Sequence, residues 1–212
     1  MIHAVCFDLD GTLTDPKLGI TNCIRYALEQ MGREAPPADE LTWCIGPPLL
    51  QSFETMLGDA AKADRALVLY RERFGDVGLY ENEVYPGIVD VLADCQAREL
   101  RLFVATSKPV VYAERIIEHF GLSQYFEAVC GAELDGTRSD KTELLAWVRA
   151  QHGLDAAGSM MIGDRRHDII GAKNNGMRTV GVTYGYGSRE ELAEAGADWI
   201  VDSPADVAAV LA

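Results

Sequence analysis

The residues best suited to chemistry stand at the start of the chain: Asp8 and Asp10, followed at once by Gly11 and Thr12. An apolar run over 2–7 precedes them and reads as a buried strand. Side chains alternate along a strand, so Asp8 and Asp10 fall on the same side. Two carboxylates held this close repel unless a cation or a shared proton compensates them, which points to a metal site. Asp-Leu-Asp-Gly also suits a plain polar turn at a strand end. At Thr106-Ser107-Lys108-Pro109 an apolar run ends in hydroxyls. Backbone N–H groups at a helix start there would suit a phosphate, although the same residues would serve as a helix cap followed by proline. Lys141 follows Asp140, with Glu143 completing the spacing of a capping box. A cation at that position opposes the helix dipole by about 0.3–1 kcal/mol, so it either neutralises a carboxylate or a phosphate oxygen or is simply a solvated lysine. Gly163 and Asp164 close a further apolar run, and Asp168 lies one helical turn on. Asp164 offers another oxygen to a metal near Asp8 and Asp10, with Asp168 behind it or beside it, or else Asp164 is only a helix cap.

These residues need a scaffold that brings distant strand ends together, and the hydropathy pattern provides one. Helical periodicity alternates with short β-rich runs at 102–106, 128–130, 159–162, 179–182 and 199–201. Strands alternating with helices predict right-handed crossovers and a parallel sheet covered on both faces. In such sheets ligands bind beyond the carboxyl ends of the strands. Helices are expected over 109–120 (begun by Pro109), about 140–152, 165–175, near 188–195, and from Pro204. Residues 16–82 contain no convincing strand. There the apolar repeats stop at Gly32, Gly58 and Gly75, which reads as a set of short helices ended by glycine, and Pro86 reads as the first turn of the next helix. The expected architecture is an α/β core with a doubly wound parallel sheet, formed by 1–15 and 83–212, with a small all-helical insert over 16–82.

Composition narrows the partners. The formal net charge of −14 opposes binding to nucleic acid polymers or anionic membranes. Five scattered cysteines, none spaced as Cys-x-x-Cys, suggest neither a disulfide framework nor a zinc site. No run approaches twenty apolar residues, so the cytoplasm is the default location. His3, His119, His152 and His167 show no metal-ligand spacing.

Taken in order, Asp8-x-Asp10-Gly11-Thr12, Thr106, Lys141 and Gly163-Asp164-x-x-x-Asp168 resemble the four motifs of the haloacid dehalogenase superfamily. The insert after the first motif resembles that superfamily's helical cap. Tyr85-Pro86-Gly87, the 106–109 turn and the Gly163-Asp164 segment are similar to its phosphoglycolate phosphatase-like branch. Ser107 stands where that branch often has Asn, and 135–141 replaces its usual Lys-Pro turn. The resemblance implies a magnesium-dependent hydrolase of a small phosphorylated metabolite, working as a monomer or small homo-oligomer. Asp8 would be the nucleophile and Asp10 the acid and base. Thr106 and Lys141 would hold the phosphate, with Thr12 and Ser107 also binding substrate. Asp8, the Asp10 carbonyl, Asp164 and, as a ligand or behind one, Asp168 would hold the metal. A 5'-nucleotidase, a sugar phosphomutase and, from another class, a phospho-receiver signalling domain share parts of this pattern. The insert argues against the last, because a compact signalling domain has no use for a lid. The turn at 45–50, with Gly46, Pro47 and Pro48, is the part of the cap best suited to selecting substrate, or is a plain connection between helices. Gly185-Tyr186-Gly187 reads as a flexible connection, and Arg165 and Arg166 are left without a role.

Overall fold

The computed structural model describes residues 2–211. In chain order the elements are strands β1 (Ala4–Phe7) and β2 (Thr14–Asp15), helices α1 (Lys17–Gln30), α2 (Leu49–Leu57) and α3 (Ala60–Asp76), and strand β3 (Glu83–Val84). There follow α4 (Ile88–Ala97), β4 (Arg101–Pro109), α5 (Val110–His119), β5 (Ala128–Ala132), α6 (Lys141–His152), β6 (Ser159–Gly163) and α7 (Arg166–Asn174). β7 (Arg178–Val182), α8 (Arg189–Glu194), β8 (Trp199–Val201) and α9 (Pro204–Leu211) complete the chain. Short 3-10 turns occupy Ala38–Cys44, Gly78–Tyr80 and Ser123–Tyr125. The chain divides into two compact units, one of residues 1–14 and 84–212 and the other of 15–83.

The larger unit is built on a six-stranded sheet in the order β5-β4-β1-β6-β7-β8, with every pairing parallel. β1 and β6 are buried along their whole length, as expected of strands covered on both faces. On one face Cys6, Phe103, Ala105, Cys130 and Met161 pack with Leu144, Leu145 and Val148 of α6 and Ala172 of α7. That packing anchors the starts of α6 and α7 beyond the carboxyl ends of the strands. All five cysteines are buried free thiols, consistent with a packing role.

The smaller unit is helical. Ile20, Ile24 and Ala27 of α1, Phe53 of α2, and Ala63, Tyr70 and Phe74 of α3 are buried, and the Phe53, Tyr70 and Phe74 rings are in contact. Arg73 donates two hydrogen bonds to Glu81, at 2.7 and 2.9 Å. Gly58 ends α2 in the left-handed conformation (φ 62°), but α3 runs through Gly75 to Asp76. Gly75 is therefore not the expected stop, because tertiary packing overrides one residue's weak helix propensity. Pro86 likewise stays outside its helix: Gly87, with φ 92°, lies between it and the first residue of α4. Two short strands, β2 and β3, pair with each other where the chain passes between the units, a detail too brief to leave a sequence pattern.

Candidate active site

The site begins where β1 ends. The Leu9 carbonyl accepts hydrogen bonds from Leu13 N (2.9 Å) and Thr14 N (3.0 Å), and Gly11 N donates to the Thr14 carbonyl (2.8 Å). This tight loop holds Asp8 and Asp10, both buried. Gly11 sits at φ +84°, and a Cβ there would lie 2.2 Å from Asp164 Oδ2. No other residue fits. Thr12 is buried, with its hydroxyl 3.5 Å from Asp164 Oδ1, so it faces a neighbouring carboxylate.

The four distant motifs converge. Asp8, Asp164 and Asp168, all buried, each offer a carboxylate oxygen, and these oxygens lie within 4.8 Å of one another. Lys141 is the first residue of α6, whose N-cap Asp140 accepts from Thr142 N and Glu143 N. It is buried, not a solvated surface lysine: its Nζ donates to the Ala105 carbonyl (2.9 Å) and stands 3.0 Å from Asp8 Oδ1 and 2.7 Å from Asp168 Oδ1. The contact from Gly171 on α7 explains the fit, since a Cβ there would meet Lys141 at 2.9 Å. Asp164 precedes the helix and does not cap it; Arg165 takes that position, and Asp168 Oδ2 accepts from Arg165 N at 3.1 Å.

At the neighbouring strand end, β4 continues to Pro109 and α5 starts at Val110, so Pro109 is not the first helical residue. Thr106 pairs with Gly131 and Pro109 with Ala132, leaving Ser107 and Lys108 as an excursion from the β4–β5 ladder. Lys108, given no role by the sequence, reaches Asp10: its Nζ donates to Asp10 Oδ1 at 2.7 Å. Thr106 is buried, and its hydroxyl accepts from Lys108 N at 3.2 Å. Ser107 lies half-buried in the same excursion.

The electrostatics of this cluster are unbalanced. Asp8, Asp10, Asp164 and Asp168 are all buried, and the ammonium groups paired with them belong to Lys108 and Lys141. Four carboxylates share two ammonium groups, so full ionisation of all four would leave an excess of two negative charges. Burial pushes the Asp164 carboxyl well above its usual range, and Asp168 and Asp8 push it further. Burial also raises Asp168. Asp10 is raised by burial although Lys108 pulls it back. Burial works against the charge on Lys141, but Asp168 and Asp8 outweigh it and hold its pKa above the ordinary range. Asp8 Oδ1 and Asp168 Oδ1 are buried without a directed hydrogen-bond donor, despite the nearness of Lys141. Three buried carboxylates whose oxygens lie within 4.8 Å of one another, with more carboxylates than ammonium groups around them, match what a divalent cation with oxygen ligands requires, so the donor set fits magnesium.

A second layer holds these groups. Tyr186 N donates to Asp164 Oδ2 at 2.7 Å, and Tyr184 Oη donates to the Thr12 carbonyl at 3.1 Å. A Cβ on Gly185 would lie 2.2 Å from the Gly11 carbonyl oxygen, and one on Gly187 would lie 1.9 Å from that of Asp164. The segment 185–187 is thus a close-packed brace and not the flexible connection its glycines suggest. Glycine serves close approach as readily as freedom, and only the neighbour's position tells the two apart. Glu191 Oε1 accepts from Arg165 Nε (3.0 Å) and Arg166 N (2.9 Å), which gives Arg165 a partner on α8.

A six-stranded parallel sheet with acids and lysines gathered at its strand ends defines a hydrolase of the haloacid dehalogenase type. The chain matches the haloacid dehalogenase-like hydrolase family over residues 5–182 and belongs to it. It is 49% identical to a 5'-nucleotidase of Pseudomonas aeruginosa, over 89% of this chain and 86% of that one. It is 42% identical to tyrosine-protein kinase PtkA of Mycobacterium tuberculosis, over 86% of this chain but 62% of the relative. A phosphoglycolate phosphatase of Caulobacter vibrioides is 33% identical, over 96% and 88%. Among solved structures, one described as a predicted phosphatase from Clostridium acetobutylicum superposes with a TM-score of 0.96 at 39% identity, covering 100% of this chain and 99% of that one. Among the described residues no helix is long and apolar enough to cross a membrane.

Proposed function

We propose that the protein is a magnesium-dependent phosphatase of small phosphate monoesters, working through an aspartyl-phosphate on Asp8, with nucleoside 5'-monophosphates as the first substrate class. The observation that carries the reading is the pairing at the site. Asp8 lies 3.0 Å from Lys141, and Asp10, two residues on, is held by a different lysine. One carboxylate is thus equipped as a nucleophile and the other as an acid and base. The substrate class follows the 5'-nucleotidase, at 49% identity, in preference to the phosphoglycolate phosphatase at 33%. The kinase name of the mycobacterial relative belongs to a chain of which this one spans 62% and is not carried over.

In this reading Asp8 attacks phosphorus in line, which divides one difficult hydrolysis into two easier displacements. Lys141, 3.0 Å from Asp8, orients the nucleophile, and its own charge is secured by two carboxylates. Asp10 gives its proton to the departing alkoxide oxygen and later takes one from the water that releases phosphate. The Thr106 hydroxyl and the Ser107 backbone N–H receive the remaining phosphate oxygens, with the Ser107 side chain beside them. Thr12 and Tyr186 hold Asp164 in place. Magnesium held by Asp8, Asp164 and the Asp10 carbonyl, with Asp168 beside them, would supply the positive charge that lets an anionic ester approach an anionic nucleophile. The helical unit, through its 45–50 turn, is the part proposed to choose the ester.

The test is phosphate release from nucleoside monophosphates, phosphoglycolate and sugar phosphates, with magnesium and with EDTA. Magnesium-dependent release, fastest from a nucleotide, is expected, and Asp8→Asn should remove it while leaving the circular dichroism spectrum unchanged. Release by Asp8→Asn at the parent rate would refute the nucleophile. Isomerised sugar phosphate without net release would identify a phosphomutase instead.

A further inference from the structure

We propose that Lys108 is a positioning residue for Asp10, built into the fold by the excursion of β4 at Ser107–Lys108. The inference rests on the reading of Asp10 as the acid that protonates the leaving group. Three independent features place this lysine. The break in the β4–β5 ladder between Thr106 and Pro109 frees Lys108 from sheet register. The Thr106 hydroxyl accepts from Lys108 N at 3.2 Å and fixes the backbone. Gly131, opposite on β5, lets the excursion lie flat: a Cβ there would stand 2.6 Å from the Lys108 carbonyl oxygen and 3.0 Å from Val110.

The result is an ion pair of 2.7 Å between side chains only 7% and 9% exposed. Partners that close and that dry exchange little with water, so the lysine fixes where the Asp10 oxygen points. With Oδ1 engaged by Lys108, Oδ2 is the Asp10 oxygen left to face the ester. Lys141 serves the nucleophile and Lys108 serves the acid, one cation to each carboxylate of the first motif. The division of labour predicts a selective defect. Loss of Lys108 should hurt esters whose leaving group needs a proton and spare those whose leaving group departs as an anion.

The experiment compares Lys108→Met, Lys108→Arg, Gly131→Ala and Asp10→Asn on an alkyl phosphate and on p-nitrophenyl phosphate. General acid catalysis contributes about 100- to 10,000-fold. Lys108→Met should therefore lower kcat for the alkyl ester at least about tenfold, against less than about threefold for the aryl ester, with KM little changed. Lys108→Arg should restore part of the loss. Gly131→Ala, which keeps the charge but displaces the excursion, should show the same selectivity in weaker form and covers the case in which Lys108→Met does not fold. Asp10→Asn should show the selectivity in full. If Asp10→Asn slows both esters alike, the acid assignment itself fails. If Asp10→Asn is selective while Lys108→Met raises KM for both esters at constant kcat, Lys108 grips substrate and the inference is overturned. Unchanged kinetics in Lys108→Met would overturn it equally.

Discussion

The surplus of carboxylates over ammonium groups in the acid cluster leads to a prediction with opposite signs in the presence and absence of metal. Asp164→Asn keeps the side chain's shape. One amide oxygen can still accept from Tyr186 N, and the amide nitrogen can face the Thr12 hydroxyl. With all four carboxylates ionised, the change lowers the excess negative charge from two to one. Burying an unpaired charge costs several kcal/mol, so at a pH above the raised value of Asp164 the metal-free variant should be more stable than the parent by at least roughly 1 kcal/mol. That is about 2–4 °C in Tm for a chain of this size. Magnesium at about 100 times its dissociation constant stabilises the parent by about 2.7 kcal/mol, or about 5–11 °C, whereas the variant should gain less than about 2 °C. Because burial raises Asp164 above the usual carboxylate range, its favourable share of metal-free stability is full at low pH and is lost as pH rises through that raised value. Asn removes this slope. Scanning calorimetry in EDTA and in magnesium across pH measures all three. A variant melting below the parent in EDTA yet keeping the full magnesium shift would refute the charge argument.

Two further outcomes follow from contacts elsewhere. Gly185→Ala forces a methyl group to within 2.2 Å of the Gly11 carbonyl and 2.5 Å of Asp164. It should destabilise by about 1–3 kcal/mol and weaken the magnesium-dependent thermal shift, where a merely flexible loop would tolerate alanine. In the helical unit, Arg73 holds Glu81 below the usual carboxylate range, so this pair's stabilisation is present above that range and lost as pH falls through the lowered value. Arg73→Met should cost about 1 kcal/mol near neutral pH, and urea titrations should show that gap narrowing below about pH 4. A gap independent of pH would mean that the arginine acts through packing alone.

The positions of Asp8, Asp10, Lys141, Asp164 and Asp168 are legible in the sequence. Each stands where an apolar run meets a turn or a helix start, and a parallel sheet brings such points to one edge. Lys108 is not legible in this way. Its placement depends on a register break against β5 and on the missing side chain of Gly131, neither of which leaves a periodic signal in its own segment. The brace at 185–187 is hidden for the same reason, since what makes those glycines necessary is Asp164, about twenty residues earlier in the chain. Gly75 and Pro86 are poor local guides, because a helix end is decided by packing and by the neighbouring Gly87 as much as by the residue itself.

The pairing of β2 with β3 has an evolutionary consequence. The outgoing and returning segments of the insert lie side by side, at the spacing of neighbouring strands, about 4.8 Å. Whatever the chain does between them, the sheet sees two ends already joined. Lengthening or exchanging the insert therefore adds only the weak, logarithmic cost of a longer loop. The sheet unit can stay constant while selection rewrites the intervening helices, so the two parts of the chain can diverge at different rates.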